Sequence, residues 1–383
     1  MKYIYYILLG FLLTSCKVSH TVYYGKNWKL AKSIAENPIF QDHFTGFVLY
    51  DPLKKKNLID INGDKYFTPA SNTKIFTFYT ALNFLGDSMP VLNYQVLDSV
   101  LVFQGTGNPL FLNPKFSDTT VFSILKDTSK TLIYNTDNNK NEKYGSGWAW
   151  DDAPYEYQAE ITPFPIFGNL DVNHYPIAFS DSIFTSMLSD TIHREISLGK
   201  TLPYIPFHTI SIPTPDSMYI VLLHESDNHM AEQILAMASQ KKLAKQDTKA
   251  IIQLAEENLF SDLSNKPRWV DGSGLSRYNL FTPNAFISTL QKIYNKIGWK
   301  EIQKYFPAGG DSGTLKDYYS GKNGPYIFAK TGTLSNNHNL SGYLITKKGH
   351  ILIFSFMHNH YIYSSKKVKP EMAKIFERIW EKY

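Results

Sequence analysis

The stretch Thr68-Pro69-Ala70-Ser71-Asn72-Thr73-Lys74, continued by Ile75-Phe76-Thr77-Phe78-Tyr79-Thr80-Ala81-Leu82-Asn83-Phe84-Leu85-Gly86, decides how this chain is read. It has the marks of a helix: Thr68 suits a cap, Pro69 the first helical position and Gly86 a stop. The run after Lys74 is apolar nearly all round, which places the helix between layers rather than on a surface. Ser71 and Lys74 stand three apart, and on a helix such positions share a face at about 5–6 Å between Cβ atoms. A lysine amine at that spacing reaches a serine hydroxyl. Ser71 also falls in the first turn, where backbone N–H groups lack helical partners and negative charge is favoured. A hydroxyl that must become an alkoxide, beside such donors, suits a nucleophile. Ser-x-x-Lys is a short pattern, however, and an exposed serine and lysine on a helix satisfy it equally well.

Outward from this helix, Phe44–Tyr50 and Asn57–Ile61 read as two strands turned through Asp51-Pro52, and residues 28–36 as a short helix ending before Pro38. Between about residues 88 and 211 the texture changes to short strand-like runs (94–97, 100–104, 131–134, 175–179) broken by Gly, Pro, Asn and Asp. This reads as an inserted, mostly β domain. Helical patterns return at 216–224, 229–239, 247–260 and 284–297, then strands at 326–333, 339–346 and 350–358, and Pro370 opens a closing helix. Antiparallel strands from both ends of the chain imply that residues 28–87 and 212–383 form one α+β domain around the insertion.

The 383 residues are 43% hydrophobic and 19% charged, an ordinary globular balance, with a mild net charge of +5. Lys54-Lys55-Lys56 and Lys366-Lys367 are too short for a nucleic-acid surface, so nucleic acid is excluded as a partner. Lys2 precedes an apolar run from Ile4 to Leu13 and then Thr14-Ser15-Cys16. That run is too short to span a bilayer but suits an export signal. Leu13-Thr14-Ser15-Cys16 resembles a bacterial lipobox, which implies a lipoprotein signal peptide over 1–15, lipidation at Cys16, a tether over 16–27 and an extracytoplasmic, membrane-anchored protein on the periplasmic face; a plain signal peptide with a stray cysteine is the other reading. Cys16 is the only cysteine, so no intrachain disulfide forms. His224 and His229 lie off a common helical face and no His-Glu-x-x-His occurs, so neither metal nor other cofactor is expected.

Two further motifs bear on Ser71. Ser226-Asp227-Asn228 sits at a junction between helical stretches, where a serine and an asparagine two apart can project to one side; the same residues are also favoured helix caps. Ala329-Lys330-Thr331-Gly332-Thr333 ends an apolar strand, either as a plain turn with a solvated lysine or as an edge where Gly332 lets an extended substrate lie close.

Ser-x-x-Lys, Ser-Asp-Asn and Lys-Thr-Gly-Thr in this order are the signature of penicillin-recognising serine enzymes. The chain resembles the D-alanyl-D-alanine carboxypeptidase/endopeptidase family, class C of the low-molecular-mass penicillin-binding proteins, peptidase family S13. The likeness includes Gly105-Thr106-Gly107-Asn108-Pro109, Gly147-Trp148-Ala149-Trp150-Asp151-Asp152, Val270–Arg277 and Ala308–Leu315, so it spans most of 44–358. It implies a β-lactamase/transpeptidase-like fold, an antiparallel sheet flanked by helices. It further implies Ser71 as nucleophile, Lys74 as base, Ser226 as proton relay, and Asn228 as a substrate and Lys74 ligand. Lys330, Thr331 and Thr333 would then hold a terminal carboxylate, with the substrate lying along the strand edge at Gly332 and Lys330 also depressing Lys74. Asp152, Tyr157 and Arg277 would meet the diamino-acid side chain of a peptidoglycan stem peptide, and β-lactams would be covalent inhibitors. The interval from Ser71 to Ser226 is shorter than in members with two accessory domains, and Ser312 departs from the usual Gly-x-Asp-Gly-Thr-Leu. A β-lactamase or esterase on the same scaffold, or a non-catalytic wall-binding lipoprotein, are the alternative readings.

Overall fold

The computed structural model describes residues 27–383. Cys16, the leader and all of the tether but Asn27 therefore lie outside the described residues. The first third of the chain holds α1 (Trp28–Ala35), β1 (Phe44–Asp51), β2 (Lys56–Ile61), a 3₁₀ turn at Ala70–Thr73, and α2 (Lys74–Phe84). The insertion contributes β3 (Ser88–Leu97), β4 (Val100–Gln104), α3 (Thr120–Asp127), β5 (Thr131–Tyr134), α4 (Asp181–Ile192), β6 (Ile196–Leu198) and β7 (His208–Pro213). Then come α5 (Asp216–Ile220), α6 (Asn228–Leu243), α7 (Thr248–Asn258), α8 (Pro283–Tyr305), β8 (Ile327–Leu334), β9 (Asn337–Ile345), β10 (Ile351–Asn359) and α9 (Ser365–Lys382).

The two chain ends build one antiparallel sheet in the order β2-β1-β10-β9-β8, with Phe47 opposite Phe356 and Lys330 opposite Ser341. Successive side chains on a strand point to opposite faces. Phe47, Leu49, Phe354 and Phe356 accordingly pack beneath α1 and α9, whereas Val48, Ile353 and Met357 join the cluster around α2. Both faces are covered, which is why β10 reads as an almost unbroken apolar run. Helix α2 is buried as its composition demands: the Phe76 ring meets Phe260, Phe281 and Phe286, and Phe78 meets Tyr219, Tyr305 and Phe306.

The second sheet runs β6-β5-β4-β3-β7. Strands β4, β5 and β6 pair in parallel, and α3 and α4 supply the crossovers that parallel pairing requires. Its apolar face (Leu101, Phe103, Leu132, Tyr134) belongs to the same buried cluster as α2 and α6, so the insertion is packed onto that helical layer.

Some local expectations differ from what is observed. Residues 175–179 form no strand; Pro176 makes a single bridge to Leu170 and has no N–H to continue a ladder, while Phe179 N–H donates to the Glu160 carboxylate at 2.9 Å. Helix α9 starts at Ser365, where the Ser364 hydroxyl accepts from Lys366 N–H, and Pro370 lies inside it. Thr68 caps nothing. Its N–H donates to Asn359 Oδ1 at 2.7 Å and its carbonyl accepts from Asn339 Nδ2 at 3.0 Å, so the segment is held by sheet side chains.

Candidate active site

The site is built first from backbone. Asn339 Nδ2 reaches the carbonyls of Thr68 and Pro69, and Asn359 Nδ2 in turn donates to Asn339 Oδ1 at 3.0 Å. Asn72, fully buried, donates to Ser341 Oγ at 2.9 Å, which bonds Ser355 on β10. These polar groups on β9 and β10 anchor the turn carrying Ser71 to the sheet. Ala70 has φ 50°, an uncommon conformation for a residue with a side chain. Two glycines permit the close packing. A Cβ on Gly332 would stand 2.3 Å from the Pro69 carbonyl oxygen and 2.8 Å from Asn72 N. A Cβ on Gly274 would stand 1.9 Å from the Ala70 carbonyl oxygen. Gly332 was expected to make room for substrate; in the structure it first makes room for the protein's own backbone.

Lys74 begins α2 and is completely buried. Its Nζ lies 3.0 Å from Ser71 Oγ, 2.6 Å from Asn228 Oδ1 and 2.7 Å from the Ser273 carbonyl oxygen. A neutral amine has two hydrogens and one lone pair. Asn228 Oδ1 and the Ser273 carbonyl can only accept, so they take both hydrogens and the lone pair is left facing the Ser71 hydroxyl. Burial lowers the Lys74 pKa to about 8, against the opposing charges of Glu232, Asp271 and Asp227.

Lys330, also completely buried, projects from β8 and donates to Ser226 Oγ at 2.8 Å and to the Thr331 carbonyl at 2.9 Å. Burial, and then the charge of Lys74, holds it well below the ordinary lysine range. Ser226 has φ 61° and ψ 33°, at the point where the wide helical turn Val221–Glu225 gives way to α6. Asp227 caps α6 by accepting from Met230 N–H at 2.9 Å. Thus Ser226-Asp227-Asn228 is both a cap and a side-chain cluster: its middle residue points to the helix and its outer two to the lysines. Thr331 donates to Thr314 Oγ1 at 2.8 Å. The Thr333 hydroxyl instead pairs across the ladder with His338 Nδ1 at 2.8 Å and joins neither lysine.

Asp152 and Tyr157 come from the insertion. The Tyr157 hydroxyl donates to Asp152 Oδ1 at 2.8 Å, and its carbonyl accepts from Asn228 Nδ2 at 2.9 Å, linking this loop directly to the Lys74 cluster. Arg277 is exposed; its backbone N–H donates to the Gly147 carbonyl at 3.3 Å, and its guanidinium has no hydrogen bond or ion pair among the described residues.

Several groups in this assembly had been given no role from sequence. The buried Asp271 carboxylate accepts from Gly274 N–H, Ser276 N–H, Asn279 Nδ2 and Trp148 Nε1, at 2.6–2.9 Å. Buried Glu232 accepts from Gly272 N–H at 3.0 Å and Ser273 N–H at 2.7 Å, with its pKa raised to about 7 by burial and by Asp271. Together they shape the loop whose Ser273 carbonyl faces Lys74. A backbone carbonyl leaves no trace in residue type, so Ser273 was not findable. Asp271 lies within the quoted stretch Val270–Arg277, where an acid amid Gly and Ser is the available signal; Glu232 stands between Ala231 and Gln233 inside α6, where residue type carries no such signal.

The family model described as the D-Ala-D-Ala carboxypeptidase 3 (S13) family matches residues 27–182 and 209–379. The chain belongs to this family. Relatives of similar extent include the penicillin-sensitive carboxypeptidase A of Dictyostelium discoideum, 22% identical over 88% of this chain and 83% of that protein. The D-alanyl-D-alanine carboxypeptidase DacB of Haemophilus influenzae is 22% identical over 87% of this chain and 89% of its own length. Among solved structures, penicillin binding protein 4 of Haemophilus influenzae superposes with a TM-score of 0.75 at 16% identity, covering 94% of this chain and 100% of that one. A predatory peptidoglycan endopeptidase from Bdellovibrio bacteriovorus gives 0.55 at 17% identity, with 87% and 92% covered. The S13 chain therefore has the transpeptidase/β-lactamase-like fold of penicillin binding protein 4.

Proposed function

We propose that this S13 protein is a serine D-Ala-D-Ala carboxypeptidase and peptidoglycan endopeptidase that works through an acyl-enzyme on Ser71. The observation that carries this reading is the three-point hold on Lys74, which leaves its lone pair for the Ser71 hydroxyl. Lys74 takes that proton as Ser71 Oγ bonds to the substrate carbonyl carbon. The backbone N–H groups of Ser71 and Thr333 receive the oxyanion, where one such donor is worth about 10²–10³ in rate. Ser226, fed by Lys330, passes a proton to the leaving amine as the peptide bond breaks, and water then releases the acyl group. Thr331, with Thr314 behind it, and Lys330 meet the terminal carboxylate of the peptide or the ring carboxylate of a β-lactam. Asp152 and Arg277 offer opposite charges for the ammonium and carboxylate of a diamino-acid side chain.

The test is labelling with a fluorescent penicillin and mass mapping of the adduct, together with D-Ala release from a D-Ala-D-Ala peptide. Stable label on Ser71 with D-Ala release supports the proposal. Rapid turnover of the penicillin without D-Ala release turns the reading to a β-lactamase, and no adduct turns it to a binding protein.

The same reading takes Leu13-Thr14-Ser15-Cys16 as a lipoprotein processing site that anchors the enzyme outside the cytoplasm. Mass spectrometry of the mature N-terminus decides it: a diacylglyceryl cysteine at position 16 supports the anchor, and an unmodified Cys16 refutes it.

A further inference from the structure

We propose that Lys115, contributed by the insertion, is a positioning residue for the proton relay: it clamps the two carboxylates on either side of Ser226 and offsets their charge next to the lysines. This rests on the acyl-enzyme reading above. Lys115 Nζ lies 2.7 Å from Glu225 Oε2 and 2.9 Å from Asp227 Oδ2. The bridge spans the residues before and after Ser226, which itself sits in the left-handed region. A non-glycine residue there persists only where its surroundings hold it. Asp227 supplies one hold by capping α6 and Lys115 supplies the other. Lys115 is in turn placed by the turn at Asn113, whose Oδ1 accepts its backbone N–H at 3.1 Å.

The geometry has an electrostatic consequence. Burial raises the Asp227 carboxyl, but the Lys115 charge and the Met230 N–H more than offset this and keep it ionised. Lys74 faces Asp227 and Glu232 from α6, Asp271 from the adjoining loop, and Lys330 from β8. Glu225 is the other partner of Lys115, and burial drops His229 to about 4, so it adds no charge at neutral pH. Removing the Lys115 charge leaves Asp227 unopposed, and Lys74 then holds its proton more firmly. Removing the Asp227 charge does the reverse.

The experiment compares wild type, Lys115→Met, Lys115→Arg and Asp227→Asn for the rate of Ser71 acylation by a fluorescent penicillin between pH 6 and 10, and for kcat and KM on a D-Ala-D-Ala peptide. Asn at 227 keeps a capping side chain. Lys115→Met is expected to lose about 10- to 100-fold in acylation at pH 7, the scale of a relay group misplaced by around 1 Å. The loss is expected in kcat rather than KM, with the acid limb displaced to higher pH. Lys115→Arg should recover most of the rate, and Asp227→Asn should displace the limb to lower pH. Wild-type rate and pH profile in Lys115→Met would overturn the proposal, as would a rise in KM alone or limbs that move the same way in both variants. Should Lys115→Met not fold, Lys115→Arg and Asp227→Asn still decide: an unmoved limb in Asp227→Asn refutes the charge coupling. Failure of wild type to label at Ser71 strikes the parent reading instead.

Discussion

Gly274→Ala tests the link between backbone packing and chemistry most directly. A Cβ at position 274 would stand 1.9 Å from the Ala70 carbonyl oxygen, 2.4 Å from its carbon and 2.9 Å from Thr73 Oγ1. Carbon and oxygen seldom approach within roughly 3 Å, so the Val270–Arg277 loop and the Ala70–Thr73 turn must separate by about 1 Å. The φ of +87° adds the cost of a side chain in the left-handed region. Strain of about 1–2 kcal/mol for the backbone and about 1–3 kcal/mol for overpacking gives a destabilisation on the order of 2–4 kcal/mol. Ser71 follows Ala70 directly and Ser273 precedes Gly274, so the opening parts two of the three groups that hold Lys74. Acylation is expected to fall by about 10²-fold, the scale of a 1 Å misplacement. Gly86→Ala is the control, since Gly86 has φ +61° but no atom within 4 Å of the new Cβ. It should cost stability of about 1 kcal/mol without slowing acylation. Thermal unfolding and the rate of fluorescent-penicillin labelling give both quantities. A folded Gly274→Ala protein that acylates within twofold of wild type would refute the argument that this contact sets the Ser71–Lys74 geometry.

Other expectations follow from the same contacts. Because the neutral amine is the base and the Lys74 pKa is about 8, acylation should rise with pH by about tenfold per unit below that value and level off above it; a rate flat from pH 6 to 9 would remove Lys74 from the role. Thr331→Val deletes the hydroxyl that donates to Thr314 in the free protein and turns its hydrogen to the carboxylate when substrate binds, and should raise KM for a D-Ala-D-Ala peptide by about tenfold at nearly constant kcat, the scale of one charge-assisted hydrogen bond; unchanged peptidase kinetics would deny the carboxylate contact. Arg277→Ala should leave penicillin acylation intact and raise KM only for stem peptides with a carboxylate on the third residue, since the guanidinium is exposed and engages no described residue.

What could be read from the chain was what local spacing encodes. Ser71 and Lys74 lie one turn apart, so their proximity is written in the local spacing, while the packing of Gly274 and Gly332 against that turn sets the distance finally observed. Alternating and unbroken apolar runs likewise marked β1, β2 and the strands near the C-terminus, because burial on one or two faces is written as a period. Contacts between distant segments carry no such period. Lys330 meets Ser226 only because β8 is an edge strand lying against the Ser71 turn, an approach that depends on Gly332 having no side chain. The Ser273 carbonyl and the backbone of Thr68 act through atoms every residue possesses, so residue type is silent about them. Lys115, in the sequence Asn113-Pro114-Lys115, has nothing in its spacing that marks it. Its bridge to Glu225 and Asp227 exists because the insertion packs onto the same core as α2 and α6, a decision made by side-chain volume and burial over the whole molecule.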